Sequence, residues 1–204
     1  VTYTATVVGS PAVEVEETAS VEFVAGAADA SASSVSADPD EGVTADGTAS
    51  SEITVTLRDA YGNPVPGQTV TLGQGGGSSN ISAASGVSSA SGEVTFTVTN
   101  TTAETVTYTA TVVGSPAVEV EETASVEFVA GAASQLRFQQ DPTDAEAGSA
   151  LSPSVTVRIE DAQGNLTSST GSVSVSLTAP GGAALGGTST VSAVGGLATF
   201  QGLT

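Results

Sequence analysis

The chain has no cysteine, no histidine, no methionine, no tryptophan and no lysine, and its only cations are Arg58, Arg137 and Arg158. Each absence removes a class of chemistry. Without histidine there is no side chain that titrates unaided near neutral pH, no Ser-His-Asp or Cys-His constellation and no imidazole metal site. Without cysteine there is no thiolate nucleophile, zinc ribbon or disulfide. Without lysine there is no Schiff base and no Lys–Asn isopeptide cross-link. The function expected is therefore non-enzymatic, with no catalytic, cofactor-binding or metal-ligating residue and no cofactor.

Against three arginines stand 22 acids, a formal charge of −19. Phosphate backbones are bound by clustered Lys and Arg, so nucleic acid is excluded as a partner, and an anionic membrane surface with it. No apolar run approaches the ~18 residues of a membrane span, and Val1 opens inside a strand-like pattern, as expected of a fragment from a longer chain. The acid excess has two readings. One is adaptation to high salt, where repulsion between carboxylates is screened. The other is the ordinary acidity of Ser/Thr/Ala-rich bacterial surface repeats.

What is present is a repeat. Residues 1–28 recur unchanged at 106–133, an offset of 105. Packing does not demand identity at solvent-facing Thr and Glu, so the match records tandem duplication, and the period suits one β-sandwich per repeat. The expected organisation is 1–28 as the last two strands of one repeat, 29–133 as a complete repeat, and 134–204 as the first five strands of a diverged third. The joints fall at the small-residue stretches 25–29 and 130–134.

Period-two alternation predicts strands at 51–59 (Ile53, Val55 and Leu57 inward), 93–99 (Val94, Phe96, Val98), 106–113 (Val106, Tyr108, Ala110, Val112) and 123–129 (Ala124, Val126, Phe128). Shorter strands are expected at 31–37, 68–73 and within 78–90. This gives about seven strands, A to G, separated by turn residues at 61–64, 73–77, 91–92 and 114–116. The third repeat follows the same order, with Leu136 and Phe138 in A, Val155, Val157 and Ile159 in B, Val173, Val175 and Leu177 in C, and Ala198 and Phe200 in E. The fold class is all-β: tandem immunoglobulin-like sandwiches.

The B–C connection reads Asp59-Ala60-Tyr61-Gly62-Asn63-Pro64-Val65-Pro66-Gly67, followed by Gln68-Thr69-Val70-Thr71-Leu72. Strand E begins Gly92-Glu93-Val94-Thr95-Phe96, and strand F reads Val106-Thr107-Tyr108-Thr109-Ala110. These segments resemble the bacterial immunoglobulin-like domains of the invasin and intimin type, over the whole middle repeat and part of the third. The third keeps Asp161-Ala162-Gln163-Gly164-Asn165 but has Leu166-Thr167 in place of Pro-Val. The resemblance implies an extracellular or cell-surface location and a stalk that carries an adhesive tip; a binding module for a protein or glycan, or an accessory region of a secreted enzyme, are the alternatives.

Several residues invite a site reading. In 59–67 the structural account is that Asp59 caps the turn, Gly62 supplies a positive φ and Pro64 stiffens the exit. Tyr108 is similar to the tyrosine corner of Ig-like sandwiches, its hydroxyl bonding upstream backbone. Asp38, Asp40, Glu41 and Asp46 in the A–B connection, and Glu119, Glu121 and Glu122 between F and G, pose the question of calcium. Neither set has EF-hand spacing, and Glu119 and Glu121 alternate with Val118 and Val120 as a solvated face does. The run Gly73-Gln74-Gly75-Gly76-Gly77 lacks the following lysine of a phosphate loop and is expected to be a flexible loop. Neighbouring repeats are the expected partners. Head-to-tail strand complementation is a further expectation, with Tyr3, Val7, Val21 and Phe23 of one chain burying against Val155, Val157 and Phe200 of the next.

Overall fold

The computed structural model of the chain describes residues 1–8, 13–14, 18–114, 116–178 and 181–204. Among the described residues, four short strands precede the central unit: β1 (Thr2–Tyr3), β2 (Thr6–Val7), β3 (Val13–Glu14) and β4 (Ala19–Ser20). They pair antiparallel as β1 with β4 and β2 with β3.

The central sandwich comprises β5 (Ser34–Asp38), β6 (Val43–Thr44), β7 (Ser50–Thr56), β8 (Thr69–Gly73), β9 (Asn80–Ile81), β10 (Gly86–Val87), β11 (Glu93–Thr99), β12 (Thr105–Val112), β13 (Val118–Glu119) and β14 (Ala124–Val129). One sheet runs β5-β7-β11-β9. The other runs β10-β8-β12-β14-β6, with β13 on β12. Alternation dictates the packing: in β11, Val94, Phe96 and Val98 are buried while Glu93, Thr95 and Thr97 face solvent. The inward residues of both sheets form one core, with Tyr108, Phe96, Phe128, Ile53 and Leu57 the largest wholly buried side chains. At 20–33 cal/mol per Å² of apolar surface removed from water, such a core is the main favourable term.

Three details depart from the alternation pattern. The first strand breaks after Asp38 and crosses to the opposite sheet as β6, which lies parallel to β14 (Phe128↔Val43, Val129↔Thr44). The segment 78–90 supplies two strands on opposite sheets, β9 and β10, and 118–119 supplies β13; among the described residues ten strands stand where about seven were expected. Strand B ends at Thr56, because Leu57 N turns to Gly92 O (2.8 Å) and Arg58 bridges Pro64. Of the turn expected at 114–116, Ser115 lies outside the described residues.

The second, smaller unit has β15 (Gln135–Gln140), β16 (Val155–Glu160), β17 (Ser172–Ser174), β18 (Thr190–Ser192) and β19 (Leu197–Phe200). Its sheets are β15-β16-β19 and β17-β18. Val155, Val157, Ile159, Val173, Ala193, Ala198, Phe200 and Leu203 make its core. The expected inward phase holds for β16 and β19 but not for β15, where Leu136 and Phe138 are 58% and 48% exposed. In the central unit the strand pair β12–β14 covers the corresponding face; no such pair lies over β15 among the described residues. Leu177, expected inward, is also exposed, because β17 ends at Ser174.

Candidate functional site

The five residues of the B–C turn build a closed local structure from one carboxylate. Asp59 is buried, and its Oδ1 accepts the N–H of Tyr61 (2.9 Å) and of Asn63 (2.9 Å). Asp59 N in turn donates to Asn63 O (3.0 Å) and Gly62 N to Asp59 O (2.9 Å), with Gly62 at φ 82°. The capping role read from the sequence is therefore the observed one. Hydrogen bonds to a carboxylate favour its charged form. Those from the Asn63 amide and from Gly26, Asn63 and Tyr61 N–H outweigh the burial that opposes them, and hold Asp59 at about 2.

The second oxygen does something that turn chemistry does not require. Asp59 Oδ2 accepts the N–H of Gly26 (2.9 Å), which lies in the connection before the central unit. Asp161 repeats the arrangement: Oδ1 accepts Gln163 N (2.9 Å) and Asn165 N (2.8 Å), and Oδ2 accepts Gly131 N (2.8 Å). Burial raises the carboxyl of Asp161, and donation from Asn165, Gly131 and Gln163 more than offsets it, leaving it below the ordinary aspartate value. The same aspartate thus caps its own turn and ties down the preceding connection.

Asn165 carries the contact further. Its Nδ2 donates to Thr101 O (3.0 Å), Asp161 Oδ2 (3.0 Å) and, more distantly, Ala45 O (3.5 Å), and its Oδ1 accepts Ala103 N (2.9 Å). The turn that meets it is braced from within. Glu104 Oε1 accepts Ser78 Oγ (2.6 Å), Ser78 N (2.8 Å) and Asn100 Nδ2 (2.9 Å), while Asn100 Oδ1 accepts Thr102 N (3.0 Å). Those donors, the Ser78 hydroxyl first, hold Glu104 below the ordinary glutamate value. Asn165 and Thr101 fall within two sequons of the Asn-x-Thr pattern, but the joint role of either was not legible in that pattern. The available signal was that each Asp-x-x-Gly-Asn turn follows a Gly-containing connection by 33 or 30 residues.

Tyr108 is buried, but its hydroxyl donates to Ser79 Oγ (2.7 Å) and not to upstream backbone, which corrects the tyrosine-corner expectation. The β9 approach brings a side-chain hydroxyl where that motif has a carbonyl. Burial pushes the Tyr108 phenol up, with Glu104 adding to it. The Gly73–Gly77 run is a tight turn and not a free loop: Gly77 N donates to Gln74 O (2.9 Å), the Gln74 amide meets Ser79, and a Cβ on Gly77 would lie 2.6 Å from Val106 Cγ1.

Of the seven acids considered for calcium, Asp46 accepts Thr48 N (2.7 Å), Thr48 Oγ1 (2.8 Å) and Ala49 N (2.7 Å) within its own turn. Asp38, Asp40, Glu41, Glu119, Glu121 and Glu122 are exposed. Among the described residues no three acids stand close enough together to hold a metal ion. The acceptor positions expected for strand complementation are closed: Val155, Val157 and Phe200 are buried within their own unit, beneath Val173, Val175 and Leu203. The side chain of Val7 lies outside the described residues.

Residues 32–129 match the model of the bacterial Ig-like domain (group 1). No curated protein matches the chain in sequence. Among solved structures, the chain is similar to invasin, a bacterial integrin-binding protein (23% identity, TM-score 0.55, 80% of this chain and 34% of that one). It is also similar to FdeC, an Escherichia coli adhesin (20%, TM-score 0.51, 95% and 59%). The D00-D0 domain of intimin aligns at 25% identity with a TM-score of 0.41, over 47% of this chain and 45% of that one. The chain thus spans about a third of the invasin structure and under half of the intimin one.

Proposed function

We propose, from the match of residues 32–129 to the model of the group 1 bacterial Ig-like domain, that the chain is a stretch of stalk from a secreted or cell-surface adhesin. Its units would be 1–28, 29–133 and 134–204, the first being the end of one repeat and the last the beginning of another. The observation that carries this reading is the joint. Where the two cores adjoin, the contacts are directed hydrogen bonds: Asp161 accepts Gly131 N, and Asn165 accepts Ala103 N and donates to Thr101 O. The fold shared with invasin and with the adhesin FdeC supports the same setting. Such a part works mechanically, by length and by resistance to bending.

The test is solution scattering on arrays of increasing repeat number. A stalk gives a maximum dimension that grows linearly with the number of units. Growth as the square root, the behaviour of freely jointed beads, would sink the reading.

A second reading concerns association between copies. Tyr3, Val21 and Phe23 are 53%, 45% and 73% exposed, and Leu136 and Phe138 border a groove of about 240 Å³ with Val157, Val173 and Val175. The occupant proposed for that groove is the 1–28 segment of a second copy, docking on β15 instead of on the closed core. Sedimentation over a concentration series decides it: a Phe23→Asp chain that self-associates as strongly as the parent rules the contact out.

A further inference from the structure

We propose that the turn Asp59–Asn63 is the receiving half of an inter-unit latch, and that its partner is the turn after strand E of an adjoining Ig-like unit, of the kind displayed by Asn100–Glu104. The inference rests on the stalk reading and adds to it a named docking surface.

At the second turn the latch is closed. Asn165 faces two backbone groups of the 100–104 turn, a carbonyl at Thr101 and an N–H at Ala103, and meets both with one side chain. A primary amide is suited to this, because it carries a donor and an acceptor on adjacent atoms; a carboxylate offers only acceptors. The Glu104–Ser78–Asn100 cluster fixes the turn before docking, so little ordering remains to oppose the contact.

At the first turn the same parts are present and half engaged. Asp59 holds Gly26 N as Asp161 holds Gly131 N, at 2.9 and 2.8 Å. Asn63 Nδ2 donates to Asp59 Oδ2 as Asn165 Nδ2 does to Asp161 Oδ2, both at 3.0 Å. The difference lies in what faces the amide. Asn63 is exposed, and among the described residues its Oδ1 accepts no hydrogen bond, whereas Asn165 is half-buried against Thr101 and Ala103. The connection leading to each turn is the same chain: residues 1–28 and 106–133 are identical, and Gly26 and Gly131 hold equivalent places in them. A unit that ends in residues 1–28 therefore approaches Asn63 along the path by which the central unit approaches Asn165.

The experiment uses this 204-residue chain and a longer one, in which the sequence of residues 29–105 is placed before Val1. Because 1–28 and 106–133 are identical, that extension completes a unit ahead of the first turn. The chain has no native cysteine, so spin-label pairs on exposed positions of adjoining units report inter-unit distance distributions cleanly. Asn165→Ala is expected to broaden the distribution across its joint in both chains, with the undocked population rising roughly three- to tenfold, the loss of one or two hydrogen bonds. Asn63→Ala is expected to broaden the distribution across the first joint of the longer chain to a similar degree. Its melting effect in the shorter chain measures the cost within the turn alone.

Silence of Asn63→Ala across the completed joint, with Asn165→Ala active, overturns the shared latch. Silence of both overturns the latch altogether. Neither result touches the linear growth of length that judges the stalk.

Discussion

Tyr3 and Tyr108 occupy the same position in identical 28-residue sequences, yet Tyr3 is 53% exposed and Tyr108 is wholly buried. The local pairing does not differ: Tyr3 lies opposite Ala19 and Tyr108 opposite Ala124, in the same register. What buries Tyr108 is the facing sheet, with Ile53, Val55 and Phe96 across the core. Strand pairing here is set by the segment itself and burial by its tertiary partner.

This pair yields a matched test. Tyr108→Phe removes the donor to Ser79 and is expected to cost about 1 kcal/mol, the usual net worth of a buried hydrogen bond. Tyr3→Phe should leave the melting curve unchanged. Comparison of the two variants by chemical denaturation checks both, and equal losses would mean that the hydroxyl–Ser79 contact contributes nothing.

Phe96→Ala is expected to destabilise the central unit by ~3–5 kcal/mol, the cost of a cavity in a closed core. The neighbouring Thr97→Ala, on the solvent face, should stay within ~0.5 kcal/mol. Urea titration of the two separates them; similar losses would place strand β11 in the wrong phase.

Much of this was legible in the chain. Strand β11 matches the alternation at 93–99 residue for residue, because a half-buried strand writes its two faces into the sequence. Strand β6 was not legible: two residues, Val43 and Thr44, carry no period, and their place is fixed by the β14 strand beside them. The latch was half legible. Asp59 and Asp161 announce their turns locally, whereas the bonds from Asn165 reach backbone groups 62 and 64 residues away, which no spacing rule encodes.

Gly77→Ala should destabilise by roughly 1–3 kcal/mol, as overpacking does, since the added carbon would meet Val106 Cγ1 at 2.6 Å and Cγ2 at 2.9 Å. Gly76 has open space around its Cα, so Gly76→Ala is expected to be neutral. Thermal melting of the pair checks this. A silent Gly77→Ala would show that the turn is free to move away from strand β12.

Stability should rise with salt. The formal charge of −19 repels itself in the compact state, and at about 1 M salt the screening length falls to about 3 Å. The melting temperature in NaCl, repeated in KCl, is the measurement. A flat or falling curve would discard the electrostatic account and with it the reading of the acid excess as adaptation to high salt.

The Asp59 carboxyl sets a pH window. Its folded value, about 2, lies below the ordinary 3.8, so its contribution is full above about 3.8 and is lost as pH falls towards 2. The difference in melting temperature between the parent chain and Asp59→Asn should therefore hold constant from neutrality to pH 4 and narrow below it. A difference that does not change between pH 4 and 2 would mean that the charge on Asp59 is not what its donors stabilise.

The parallel pairing of β6 with β14 bears on what happens under load. Val43 and Thr44 stand near the beginning of the central unit and Phe128 and Val129 at its end, side by side and pointing the same way. Traction applied at the two ends of the unit draws these strands past each other along their length. The bonds between them, and the one from Ala45 N to Val129 O (2.8 Å), then resist together, in shear, instead of opening one after another as a hairpin peeled from its end would. A strand switch that looks like an irregularity of the sheet thus sits where a unit pulled from its two ends would concentrate its stress.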